Sequence, residues 1–421
     1  MAYLGENIPK LGFGLMRLPM KDKEIDVAQT TEMVVKRFEE SHPGWTVSIE
    51  SQGWAEELHT NLRDAYIINK MPDIVVGEAF IQSQIEMDYY APINDIPAEY
   101  LSQVPDFLWA QSRKDGKQYG IPYVTGNFGL VYNAGMFREA RYTVDETTSG
   151  APKVPTTVEE MRAAAQAIKD YYTGIAEYTK GGILINNVPG VSSGFRAVTY
   201  MTMFGGDFFT DGQLSLNTAA NKNAFSYMRN VSANAPQGNA AMNNDNNLIL
   251  AMFDGKAAMM VDMPSFVLSP SNLTQDLRVA PLPSVSGVLD RRNVLVGSCS
   301  FMISKGSKKQ KEAKDFLYSL LDKDFQSAQY EAGLLPVRLD VMQELYDNED
   351  NDPAVARTNE YIGSSLFSLM SEEHILGVPS FTNNYTNIWG YWNEFINDVF
   401  NTSKDINDIT ETLQTRIAEK L

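Results

Sequence analysis

Apolar positions between Glu24 and Glu40 (Ile25, Val27, Met33, Val34, Phe38) recur at helical spacing, and Pro43-Gly44 ends the run. Trp45 to Ile49 then alternates like a strand. The pattern next predicts a helix from Trp54 to Asn69 and a buried strand over Met71 to Val76, closed by Gly77. The stretch from Asp115 to Asn133 reads differently: Asp115-Gly116 and Tyr119-Gly120 mark turns, Pro122 forbids a helix, and Gly129 to Tyr132 is a short β-prone run. Such a stretch suits backbone that crosses between two lobes and offers donors to a ligand on the way. Farther on, the pattern predicts a helix capped by Thr156 with Glu159 as capping-box partner, and a strand at Ile183 to Asn186. It then gives a helix at Phe195 to Phe204, strands at Ala257 to Val261 and near Arg278 to Pro283, a strand and helix over Ser300 to Leu321, and an aromatic-rich helix at Ile388 to Phe400. Strands alternating with helices imply α/β layers with largely parallel sheets.

With 421 residues, 43% of them hydrophobic, the chain can bury the cores of two or three domains. A net charge of −18 argues against a nucleic-acid partner, because phosphate binding needs clustered Lys and Arg. Cys299 is the only cysteine, which excludes an intrachain disulfide and a thiol-rich metal site. No apolar run approaches the roughly 20 residues of a spanning helix. Residues 1–33 lack the basic start, apolar segment and small-residue cleavage site of a signal peptide, so the chain as written is expected to stay in the cytoplasm. Catalytic motifs are missing: there is no Gly-x-Ser-x-Gly elbow and no phosphate-cradling Gly-rich loop. The acidic run Asp347 to Asp352 has Asp where a calcium loop needs Gly, and His42, His59 and His374 are expected at the surface. No cofactor and no metal are expected.

Several segments together resemble the extracytoplasmic solute-binding proteins of carbohydrate ABC transporters. These are Asp115-Gly116-Lys117 with Tyr119-Gly120 and Pro122, Tyr132-Asn133, Pro155-Thr156 before Glu159-Glu160, Gly205-Gly206, Gly255-Lys256-Ala257-Ala258-Met259, Pro281-Leu282-Pro283, and Ser304-Lys305 with Ser307-Lys308. The resemblance covers roughly Val35 to Leu421. It implies a two-lobed α/β fold of the periplasmic-binding-protein type (type II), with a ligand cleft between lobes composed of 35–125 plus 298–340 and 126–297 plus 341–421. It also implies an extracytoplasmic monomer that closes by hinge motion on a carbohydrate and passes it to a membrane permease, without catalysis. Residues 1–34 instead resemble the opening of an aldo/keto reductase, through Pro9-Lys10-Leu11-Gly12-Phe13-Gly14 and Met16-Arg17-Leu18-Pro19. They stand where the binding-protein family has a first strand, a slot that Lys10 to Leu18 either fills or leaves vacant. An NADPH-dependent reductase, or a non-functional fusion of the two, are therefore the alternative readings.

Sugars present hydroxyls at the ring edge and C–H patches on the ring face, so their sites pair carboxylates and amides with flat aromatic rings. On that chemistry the candidate ligand residues are Trp54, Glu78, Phe80, Tyr123, Thr125, Asn127, Asp262, Phe266 and Arg338, with Trp389 and Tyr391 weaker. Glu78 and Phe80 follow a strand's carboxyl end, Tyr123 to Asn127 form the crossing, and Phe266 stands where the family has a stacking ring. Asp262 ends an apolar strand, and Arg338 is expected to hold either the hinge or a substrate hydroxyl.

Overall fold

The computed structural model describes residues 8–11, 27–49, 55–77, 81–210, 213–241, 245–264, 275–288, 295–331, 334–347, 375–376 and 385–420. The chain forms two compact units. The first comprises 1–126, 296–349 and 379–385, the second 127–295, 350–378 and 386–421.

In the first unit, strand Ile74–Gly77 is wholly buried and pairs antiparallel with the long strand Leu295–Ser304, Ile303 opposite Ile74 and Ser300 opposite Gly77. Tyr90–Ala91 and Gly120–Asn127 also pair with that long strand. Helix spacing decides what covers the sheet. Leu58 and Leu62, one turn apart, pack with Val75, Ile81, Tyr89, Tyr90 and Met302. Val34 and Phe38 on helix Val27–Ser41 turn inward in the same way, and the Phe38 ring meets Phe316 edge-on at 5.6 Å. Asp115 and Gly116 have φ of 50° and 71° and turn the hairpin of Arg113–Lys114 and Lys117–Gln118, as two-residue hairpins require. Strand Ile8–Leu11 runs parallel to Val47–Ile49 and beside Ile74–Gly77, so a segment just ahead of the expected one takes the first-strand slot.

In the second unit, strand Gly129–Asn133 lies between Met259–Asp262 and Leu277–Ala280, antiparallel to both, and Leu184 joins Met260 in parallel. The sheets are thus less parallel than the alternating pattern implied. Gly129–Asn133 and Leu295–Ser304 adjoin the points where the chain changes unit; the first runs against both its neighbours and the second against Ile74–Gly77 and Tyr90–Ala91. Helix Val158–Gly174 starts one residue later than expected: Thr157 is the cap and Glu160 its partner. The Glu160 carboxylate gathers the amides of Thr156 and Thr157 and the Thr156 hydroxyl, a fuller set of donors than Glu159 could reach, and these bonds hold its pKa below the usual carboxylate range. Helix Tyr385–Asn401 closes the core through Trp392, whose ring lies 5.5 Å from Phe208, and Phe395, 4.5 Å from Phe225. No described helix is long and apolar enough to cross a membrane.

Candidate functional site

Strand direction places one rim in the second unit. Leu184, Met259–Asp262 and Leu277–Ala280 run the same way, and Gly129, opposite Asp262, begins the antiparallel strand between the latter two. The segments after Leu184, after Asp262 and after Ala280 therefore emerge at one end of the sheet, beside the entry at Asn127. The carboxyl ends of parallel strands are where open α/β sheets bind ligands. A Cβ on Gly129 would stand 3.3 Å from the Ala280 carbonyl, a tight approach, and 3.6 Å from Pro264 Cγ, an ordinary contact, so the two segments close directly over this glycine. The Asn239 amide holds Ile185 from both sides, donating to its carbonyl at 2.8 Å and accepting from its N–H at 3.3 Å.

Beneath this rim lies a buried ion pair. Arg196 Nη2 donates to Asp262 Oδ2 at 2.6 Å, with the two side chains 8% and 6% exposed. Asp262 Oδ1 accepts from the Met263 amide at 2.7 Å. Tyr200, one turn beyond Arg196 on helix Val191–Met203, points its buried hydroxyl into a small cavity lined by Asn186, Leu184, Met260 and Val261, and that hydroxyl has no partner among the described residues. Burial raises the Tyr200 pKa, which keeps the phenol neutral.

In the first unit the crossing strand is held by amides. The Tyr123 carbonyl accepts from Gln326 Nε2 at 3.0 Å and Gln329 Nε2 at 2.9 Å. Gln326 also donates to the Leu320 carbonyl at 2.7 Å and accepts from the Val337 amide at 2.7 Å. The Thr125 amide donates to the Leu335 carbonyl at 3.1 Å.

The sequence model of the bacterial extracellular solute-binding proteins matches residues 33–357. The chain belongs to this family. No curated protein matches it by sequence. Among solved structures it is similar to the GacH receptor of Streptomyces glaucescens, determined unliganded and with acarbose, at 20% identity and TM-score 0.74 over 94% of this chain and 96% of that one. It is similar to maltose-bound MalE3 of T. maritima at 16% identity and TM-score 0.76, again over 94% and 96%. An ABC substrate-binding protein of Listeria monocytogenes in complex with cycloalternan gives 17% identity and TM-score 0.73 over the same shares. The fold is thus the two-lobed, type II fold of periplasmic binding proteins.

Within this solute-binding protein the sequence-derived candidates fall into three groups. Trp54, Glu78, Phe80 and Phe266 lie outside the described residues, as does the side chain of Trp389. Tyr123, Thr125 and Asn127 lie on the crossing strand and are 2%, 8% and 3% exposed, so the strand reaches the unit boundary with little surface to offer. The Tyr123 ring packs 4.4 Å from Phe301. Asp262 is engaged by Arg196. Arg338 grips Asp340 through two hydrogen bonds of 2.9 and 2.8 Å and the Leu321 carbonyl at 2.9 Å, an arrangement that raises its own pKa and lowers that of Asp340. Arg416 covers one face of the Tyr391 ring at 3.9 Å.

Sequence reasoning passed over Arg196, Gln326 and Gln329. Arg196 carried a signal: a single cation in the apolar helix Val191–Met203 calls for a buried partner. The two glutamines carried none. His59 is not a surface residue as expected. It is 9% exposed and bonds Gln84 at 3.3 Å, and burial, aided by Arg63, lowers its pKa. Among the described residues no cluster of His, Cys, Asp and Glu could hold a metal ion.

Proposed function

We propose that this protein binds a carbohydrate and delivers it to an ABC-transporter permease, acting as a monomer outside the cytoplasm and performing no chemistry. The observation that carries this reading is the match of fold, over nearly the whole chain, to binding proteins holding acarbose, maltose and cycloalternan. The second unit adds support: the ends of its parallel strands converge at one rim, where open α/β sheets bind ligands. By the same reading Trp54, Phe80 and Phe266 supply stacking rings, and Glu78 supplies a carboxylate.

Thermal unfolding with maltose, longer maltodextrins and acarbose tests this directly. A ligand at about 100 times its Kd stabilises the folded state by about 2.7 kcal/mol, a shift of several degrees. Stabilisation by none of these sugars, but by a peptide or a polyamine, would overturn the carbohydrate assignment.

A further inference from the structure

We infer that Arg196 and Asp262 are a positioning pair: they fix the rim of the second unit on which ligand is held, and neither charge is spent on the ligand itself. The inference rests on the carbohydrate-binding reading for what the rim does, and on geometry alone for what the pair does. Asp262 uses one oxygen for Arg196 and the other for the Met263 amide, so the carboxylate dictates the direction in which the chain leaves the strand. The next residue, Pro264, has a fixed φ and sits against Gly129, two residues after the entry at Asn127. Through Arg196 the same carboxylate anchors the second turn of helix Val191–Met203, whose start at Gly190 has no side-chain cap. One charge pair therefore ties the first turns of the helix that follows the Leu184 segment to the start of the segment after Asp262, beside the strand next to Asn127.

The surroundings explain why a positioning role fits better than a stabilising one. Around the pair Leu184, Ile185, Met228, Met260 and Val261 are apolar and only Asn186 and the Tyr200 hydroxyl are polar, and in such a buried setting the desolvation of two charges largely cancels their attraction. An apolar pair would pack there at similar stability. It would not be directional: a guanidinium and a carboxylate meet in few orientations, whereas a methionine and a leucine meet in many. A ligand contact also needs an exposed group, and Asp262 has almost no exposed surface.

The test uses the full chain and compares wild type with Asp262→Asn, Arg196→Met, Arg196→Lys and the apolar double variant Arg196→Met/Asp262→Leu. Three quantities are read: the unfolding midpoint without ligand, amide hydrogen exchange over residues 186–190 and at Met263, and the Kd for whichever sugar wild type binds. In the double variant we expect a near wild-type midpoint, exchange faster by about tenfold at those amides but unchanged in strand Gly129–Asn133, and a Kd weaker by about tenfold. Arg196→Lys should recover part of the affinity. Wild-type exchange and affinity in the double variant would overturn the inference. So would loss of binding in Asp262→Asn with exchange unchanged and Arg196→Met fully active, because Asp262 would then be a direct contact. If wild type binds no sugar, the carbohydrate reading fails and the exchange measurement alone decides the role of the pair.

Discussion

In the first unit the backbone of the crossing strand is held by neutral groups: two buried glutamines share the Tyr123 carbonyl, and Leu335 takes the Thr125 amide. In the second unit the corresponding work at the Asp262 strand end falls to a charge pair. Both solutions satisfy buried polar groups, but they fail differently. Removing one amide leaves a neutral donor or acceptor unpaired, whereas removing one ion leaves an uncompensated charge in an apolar setting.

The sharpest break in that comparison is a single substitution at the charge pair. Arg196→Met or Asp262→Ala is expected to lose about 3–5 kcal/mol of stability in urea denaturation, most of it regained in the apolar double variant. Equal losses in single and double variants would mean that the pair stabilises outright. Gln326→Ala comes next. It unpairs the Leu320 carbonyl and the Val337 amide and weakens the hold on Tyr123, for an expected loss of about 3 kcal/mol by the same measurement.

Gln329→Leu should cost no more than about 1 kcal/mol, because Gln326 still serves the Tyr123 carbonyl and the buried Gln329 Oε1 has no partner to lose among the described residues. The smallest effect concerns acid. His59 has its pKa lowered in the folded protein from an ordinary value of 6.5, so below that pH the unfolded chain takes up the proton first. His59 therefore leaves stability intact above pH 6.5 and erodes it as pH falls toward the lowered folded value. In His59→Gln that part of the acid slope should disappear when midpoints are measured between pH 7 and pH 5. An unchanged slope would assign the acid sensitivity to other groups.

Much of the fold was legible because its signals are local. Pro43-Gly44 ends a helix, Asp115-Gly116 turns a hairpin, and apolar residues one turn apart, such as Leu58 and Leu62, mark the face that is buried. Boundaries slipped where two neighbours compete for one role, as Thr156 and Thr157 do for the helix cap. The site was less legible. Asp262 was singled out as an acid at a strand end, yet its charge is answered by Arg196, 66 residues away in sequence, and no spacing rule links the two. Arg338 could be narrowed to a hinge anchor or a hydroxyl donor, and its neighbour Asp340 now occupies two of its nitrogens.

By itself, then, the sequence determined the alternation of helices and strands and the family, since periodicity, turn chemistry and ordered motifs are carried by nearby residues. Only the tertiary structure decided which polar groups are committed to one another. Desolvation drives most buried charges and amides to take a partner, and the partner is whichever group the packed elements bring within about 3 Å, however distant along the chain.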